Sequence, residues 1–437
     1  MFEEVLVDQN PHWNKELYDS GIERDVLNKA RKYIDLPHII SIVGVRRSGK
    51  STLIKQIINM LIQDKGVNPK NILFVNLETP RLNNFRNEII YLERIFEDYL
   101  KLTKPEGRIY CFIDEVQFFS QWQVFVKSCY EKKNIKMFIT GSNSRLLSSE
   151  FITLLSGRTL AIEVFPFSFL ELMKAKGIDV SGNIEIVNKR HQIKGVLDEY
   201  MHDGGFPEIA FIMDKDIKDE VLAMYARNVL YQDIAPRFSV KKPVDLENLF
   251  FYLASNTSCL YTYNNLAKIT KISDKTVKEY LSYFTDAYLL FSVDAFHFSI
   301  KRQMQSPKKI YAVDNGIARA SSMHFSKNAG HFLENLVFLE LNRRGCELFY
   351  YKTRQGHEVD FACVESGKIS ELIQVVHTIS NEKTRERELR AIIRAMDETG
   401  LKKGLIVTYE DEERVESSGM DIQILPAYKF LTDSNAL

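Results

Sequence analysis

The chain has no cysteine pair at the spacing of a metal finger or a disulfide scaffold: Cys111, Cys129, Cys259, Cys346 and Cys363 are odd in number and far apart. They read as buried thiols in a reducing compartment. Charge of one sign is also missing, with 58 basic side chains against 58 acidic. That balance excludes capture of a polyanion by a global field and leaves only local patches for it. No apolar run approaches the ~18–20 residues that cross a bilayer. The opening MFEEVLVDQNPHW is acidic, with no apolar core ahead of a cleavage site. The expectation is a cytoplasmic protein with no membrane partner. Repeats, low-complexity tracts and sustained heptads are absent, which excludes solenoids and long coiled coils. What remains is 45% hydrophobic and 27% charged, the balance of a folded globular chain. Its 437 residues need more than one core.

Apolar periodicity divides those residues. The run His38-Ile39-Ile40-Ser41-Ile42-Val43 reads as a strand, followed by a glycine loop and a helix over 51–65, which is half of a βαβ unit. Further β-rich runs at 72–77, 108–113, 137–140 and 159–164 are separated by segments long enough for crossover helices. They predict a parallel sheet covered on both faces, in an α/β domain spanning 1–190. Helical periodicity broken by Asp203-Gly204-Gly205-Phe206-Pro207 predicts a small helical lid over 191–238. Helices at 246–255, 264–270 and 274–284, the last opened by Ser273, precede a β-rich segment and predict a winged helix-turn-helix over 239–312. A helix at 331–343, strands at 347–351, 359–364 and 371–376, a helix at 382–399 and a strand at 404–408 predict a second α/β domain over 313–437.

Chemistry concentrates in the first domain. Gly44-Val45-Arg46-Arg47-Ser48-Gly49-Lys50-Ser51-Thr52 matches G-x-x-x-x-G-K-[ST] and lies between a predicted strand and a predicted helix, the context that motif requires. Backbone N–H groups of such a loop, Arg47, Ser48 and Thr52 included, curl around phosphates where the helix N-terminus adds partial positive charge. Lys50 reaches the β- and γ-phosphates of ATP and the Ser51 hydroxyl ligates Mg²⁺. The strand ending in Asp114-Glu115 supplies a second metal residue, Asp114, and a base, Glu115, to polarise water. At the end of the next strand, Ser142 or Asn143 could hydrogen-bond the γ-phosphate; an Asx-type turn accounts for the same residues. Arg158, ahead of the last strand, could neutralise transition-state charge on a neighbouring subunit's nucleotide, or is a surface arginine near a turn.

With these motifs in register, the first 235 or so residues resemble the AAA-type ATPases of an archaeal and bacterial family with a variable C-terminal half. The motifs are the P-loop, D-E-x-Q at Asp114-Glu115-Val116-Gln117, T-G-S, S-G-R, Pro166-Phe167-Ser168-Phe169-Leu170-Glu171, and Gly204-Gly205-Phe206-Pro207. The resemblance implies that Pro207 touches the adenine, that Arg158 is an arginine finger, and that the chain forms a homo-oligomeric ring such as a hexamer. It also sets Glu78 where related proteins carry a switch residue that restrains Glu115.

In such families the winged helix binds DNA or a partner protein. Here Lys275 and Lys278 face phosphates from the presumed recognition helix, with Lys308 and Lys309 near the wing. Asp274 and Glu279 offset them, and a helix packed on its neighbours fits as well. The last hundred residues look like a PD-(D/E)xK nuclease fold, with Glu334, Glu358, Asp360 and Gln374 as candidate ligands of Mg²⁺. Val376 stands where that chemistry has a lysine and Gln374 where it often has a glutamate; Lys352 is the candidate substitute. The fold class expected is α/β: a P-loop NTPase parallel sheet with a helical lid, then a winged helix and a restriction-endonuclease-like α/β domain. The function expected is an ATPase using ATP and Mg²⁺, acting on DNA as an oligomer. The alternatives are a signalling-type ATP switch that binds a protein, or an ATP-governed nuclease.

Overall fold

Five runs rich in isoleucine, valine and phenylalanine pair edge to edge, because their side chains are apolar on both faces and need cover on both. In the computed structural model, which describes residues 1–141, 157–180, 182–321, 329–417 and 419–433, they are β1 Ile39–Val43, β2 Ile72–Asn76, β3 Ile109–Asp114, β4 Ile135–Gly141 and β5 Thr159–Glu163. All four pairings are parallel, in the order β2-β3-β4-β1-β5. Parallel neighbours require crossovers, and the helices Lys50–Gln63, Ile90–Thr103 and Trp122–Glu131 supply them. One face packs Ile40, Ile42, Phe112 and Phe138 against Leu53, Ile54 and Ile57. Phe112 and Phe138 stack across adjacent strands with ring centroids 4.5 Å apart.

This sheet belongs to the first of two compact units, Met1–Phe165 and Pro166–Leu437. The open edge of β2 is blunted by side chains from the N-terminal segment, which mimic a sixth strand. The Asn10 amide accepts the Phe74 N–H at 2.7 Å and donates to the Phe74 carbonyl at 2.8 Å, while Gln9 accepts from Asn76 N at 2.8 Å. An edge closed in this way offers no template to a foreign strand.

The second unit opens with the helix Phe169–Ala175, held by the reciprocal capping box of Ser168 and Glu171. Helices Arg190–Asp203 and Lys215–Asn228 follow, then Pro243–Ser255, Tyr263–Thr270 and Asp274–Asp286, the last capped by the Ser273 hydroxyl. A small antiparallel sheet, β6 Leu260–Tyr261, β7 Leu290–Val293 and β8 Lys308–Ala312, runs in the order β6-β8-β7. The helix Ala329–Arg343 leads into a six-stranded mixed sheet: β9 Glu347–Lys352, β10 Glu358–Glu365, β11 Lys368–Val375, β12 Lys403–Thr408, β13 Glu413–Ser417 and β14 Met420–Pro426, ordered β13-β14-β12-β11-β10-β9. The helix Glu382–Thr399 covers one of its faces, burying Ile392, Ala395 and Met396 on Val359, Leu372 and Ile406. Among the described residues no helix is long and apolar enough to cross a membrane.

Candidate functional site

At the C-terminal end of β1 the chain turns sharply, and the turn dictates its glycine. A Cβ on Gly44, at φ +148°, would stand 2.1 Å from the Val164 carbonyl oxygen. The helix Lys50–Gln63 then begins with Gly49 in the left-handed region at φ +99°. Lys50 is only 4% exposed, and its ammonium donates to the carbonyls of Gly44 at 3.2 Å and Val45 at 3.1 Å, inside the curl of the loop. The Ser48 hydroxyl is buried with no hydrogen-bond partner among the described residues. Arg24 braces the loop from behind, donating to the carbonyls of Ser48 at 2.6 Å and Phe165 at 2.7 Å. Its own N–H is held by Gln56 at 3.1 Å.

The carboxylate side is equally built. Asp114 is fully buried at the end of β3, and Ser51 donates to its Oδ2 at 2.7 Å. Thr140, at the end of β4, donates to Oδ1, and the same Thr140 oxygen accepts the Glu115 N–H at 2.9 Å. Burial, and next the neighbouring charge of Glu115, push the Asp114 carboxyl up against the pull of Thr140, Ser51 and Lys50. Glu115 sits at φ +57°, and its carboxylate accepts from Gln117 Nε2 at 2.5 Å. A glycine cradle, an unpaired hydroxyl, a buried ammonium and a hydroxyl–carboxylate pair are the donor set that a triphosphate with a hard divalent ion needs.

Residues 37–173 match the model of the AAA domain. Residues 195–328 and 329–430 each match a domain of unknown function, DUF8612 and DUF4143. An uncharacterized protein of Methanocaldococcus jannaschii, MJ1544, is 35% identical, across 98% of this chain and 95% of its own length. An uncharacterized Haemophilus influenzae protein is 30% identical, across 91% and 95%. The chain belongs to the same family as these relatives, and its residues 37–173 carry the AAA domain. Among solved structures, the Aeropyrum pernix ORC1 protein in complex with DNA aligns at 13% identity over 69% of this chain and 92% of that one, with a TM-score of 0.31. So loose a likeness adds nothing to the sequence relatives.

Within the AAA domain, the glycine loop, Lys50, Ser51, Asp114 and Glu115 gather at one end of the sheet. Arg158 lies at the other end: it precedes β5, and its carbonyl accepts the N–H of Ile39, the first residue of β1. Strands of five residues span about 16 Å, so Arg158 is out of reach of its own chain's loop. Its guanidinium lies over the Tyr130 ring, 5.4 Å from the centroid. Ser142 and Asn143 fall outside the described residues. Thr140, in the same run, reaches the Asp114 carboxylate and the Glu115 backbone N–H. Glu78 pairs with Arg46 of the loop at 2.9 Å, and the Gln117 amide donates to the Glu115 carboxylate. Arg24 and Gln56 carried no signal in the sequence, since a lone arginine 20 residues before a loop resembles any surface charge.

Pro207 belongs to the second unit. There the motif around it has a packing role of its own. A Cβ on Gly204 would fall 1.9 Å from Asp314 Oδ1, and the Gly205 N–H donates to Asp314 Oδ2 at 2.6 Å. Asp314 also caps the helix Asn315–Ala320 through Ile317 N. Lys275 is exposed on Asp274–Asp286; Lys278 is exposed too, and its ammonium pairs with Asp274 at 2.7 Å, one turn back.

Glu334, Glu358 and Asp360 come together around a fourth side chain. Lys309 of β8, expected to be open to phosphates, is 3% exposed. Its Nζ lies 3.0 Å from Glu334, 2.9 Å from Glu358 and 2.7 Å from Asp360. Lys308 pairs with Asp294. Lys352, expected as the substitute cation, is exposed on β9. Gln374 accepts the Asp360 N–H at 3.2 Å and donates to Glu388 at 2.8 Å. Spacing along the chain could not reveal Lys309, because it reaches the cluster from a different sheet.

Proposed function

We propose that the AAA domain binds and hydrolyses ATP with Mg²⁺, and that the chain works as an oligomer acting on DNA through the second unit. The observation that carries this reading is the Ser51–Asp114 pair at 2.7 Å beside the ammonium of Lys50. Gly44, Gly49 and the loop N–H groups of Arg47, Ser48 and Thr52 would hold the phosphates, and Ser51 with Asp114 would hold the metal. When bound, Mg²⁺ neutralises the charge that builds on the phosphoryl oxygens. Lys50 exchanges its bonds to the Gly44 and Val45 carbonyls for phosphate oxygens. Glu115 orients the attacking water and takes its proton, and Thr140 keeps the Asp114 and Glu115 carboxylates in register. Pro207 is our candidate for contact with the base, and Ser142 or Asn143 for the γ-phosphate.

Three helices and a small antiparallel sheet, whose first strand lies between the first two helices, support a winged-helix reading of 239–312, with Lys275 as a phosphate contact and Lys278 as one only after it leaves Asp274. The mixed sheet with its carboxylates supports a nuclease-like fold for 313–437. A slow ATP switch is a second reading, favoured by the Gln117 side chain on Glu115, because a tied base turns over slowly.

The deciding experiment is nucleotide retention and phosphate release by purified protein. Lys50→Ala should lose retention, and Glu115→Gln should retain ATP with hydrolysis lowered on the order of 10²-fold or more. Equal retention by wild type and Lys50→Ala would end this reading.

A further inference from the structure

The Lys309 cluster is outside the nucleotide chemistry, and its inventory of charge is unusual. Three carboxylates from two elements meet one ammonium in a region where Lys309, Glu334 and Asp360 are 3%, 7% and 7% exposed. Tyr311, two residues along β8 on the same face, donates to the Glu334 oxygen that also accepts from Lys309, at 2.7 Å. Asp360 Oδ2, the oxygen turned away from Lys309, accepts the Val375 N–H at 2.9 Å.

A hard divalent ion requires about six oxygen ligands at ~2.1 Å, with several carboxylate lone pairs turned toward it. That donor set is not offered here. The oxygens at the centre are occupied by an ammonium and a phenol, and the other oxygen of Asp360 is tied to the backbone. Where the nuclease pattern expects a glutamate and a lysine, the chain has Gln374 and Val376. Among the described residues, no three His, Cys, Asp or Glu side chains are arranged to hold a metal.

Burial, then the charge of Asp360, pushes the Glu334 carboxyl up against the pull of Lys309 and Tyr311. Burial works against the charge of Lys309, but Asp360, Tyr311, Glu334 and Glu358 outweigh it and hold the ammonium well above its ordinary range.

We propose that Lys309 is the resident cation of this carboxylate site, standing where a nuclease of this fold would hold its metal. The native C-terminal sheet then takes up no divalent ion and cuts no phosphodiester. Its carboxylates serve as a latch joining β8 of the three-stranded sheet to β10 and the helix Ala329–Arg343. The inference rests on the nuclease-like reading of residues 313–437 and is independent of ATP hydrolysis.

The test is Mn²⁺ binding to the full chain without nucleotide, followed by electron paramagnetic resonance, where any uptake at Asp114 is common to every variant and cancels. Wild type and Glu358→Gln should bind the same number of ions. Lys309→Ala should gain one ion per chain, and Lys309→Ala combined with Glu358→Gln should lose it again. An ion bound by wild type and lost in Glu358→Gln overturns the lysine as resident cation, as does Mn²⁺-dependent cleavage of DNA by wild type. A folded Lys309→Ala protein that gains no ion overturns the equivalence with a metal site, and with it the nuclease-like reading. Should Lys309→Ala fail to fold, the comparison of wild type with Glu358→Gln still decides, because Glu358 is on the rim, its side chain 30% exposed.

Discussion

Thr140 joins Asp114 and Glu115 of the proposed nucleotide site through one oxygen, donating to the Asp114 carboxylate and accepting from the Glu115 backbone N–H. Valine at that position keeps the shape and removes both bonds, leaving Asp114 to Ser51 alone in a site pushed toward the protonated carboxyl by burial. A hydrogen bond to a charged group is worth about 1.5–3 kcal/mol. Thr140→Val should therefore lower the hydrolysis rate roughly 10- to 100-fold while ATP retention falls only a few-fold. Titrating Mg²⁺ against phosphate release checks this, and an unchanged rate at saturating Mg²⁺ would remove Thr140 from the site. At this scale the sequence was legible where a pattern is local: Lys50, Ser51, Asp114 and Glu115, named by their motifs, meet at one end of the sheet. It was opaque where the partner is distant in the chain. Arg24 reaches Ser48 and Phe165, and Lys309 reaches Asp360, across 24, 141 and 51 positions, and no local pattern records such meetings.

Elements were read well where period and caps agree. The helix Glu382–Thr399 and the Ser273 cap of Asp274–Asp286 fall where apolar spacing and a serine N-cap set them. The hairpin of β13 and β14 and the last helix, Ala427–Thr432, escaped notice. Glu413–Ser417 is a polar edge strand with little burial, and its pairing rests on β14 rather than on a hydrophobic face. The link between Gly204-Gly205 and the helix Asn315–Ala320 depends on Asp314, whose carboxyl burial pushes up to about 6 against the pull of the Gly205, Ile317 and Gly316 N–H groups. A folded value above the unfolded 3.8 means the native state binds the proton more tightly. The stabilisation is complete below about pH 4 and is lost as pH rises to about 6, a change of about 3 kcal/mol. Urea unfolding followed by far-ultraviolet circular dichroism should show that decline in wild type and a flatter profile in Asp314→Asn. Parallel slopes in the two proteins would rule out Asp314 as the source.

For the whole molecule, Arg158 and the P-loop stand at opposite ends of one sheet, so a catalytic role for this arginine requires a second copy of the chain. An arginine finger contributes on the order of 10³-fold to turnover. Arg158→Ala should keep ATP retention and lose hydrolysis by about that factor at concentrations where wild type self-associates, as read by native mass measurement beside an ATPase assay with branched or single-stranded DNA. Wild-type turnover in an intact Arg158→Ala oligomer would leave the residue structural. By itself the sequence determined the AAA domain, its five-stranded parallel sheet and the phosphate loop, because apolar period, glycine spacing and a strand ending in Asp-Glu are local properties written residue by residue. Only the tertiary structure decided what surrounds each charge: the Thr140 bridge, the distance of Arg158 from its own loop, and the lysine inside the C-terminal carboxylates. Electrostatic role depends on burial and on neighbours brought in from other strands, and both exist only once the chain has folded.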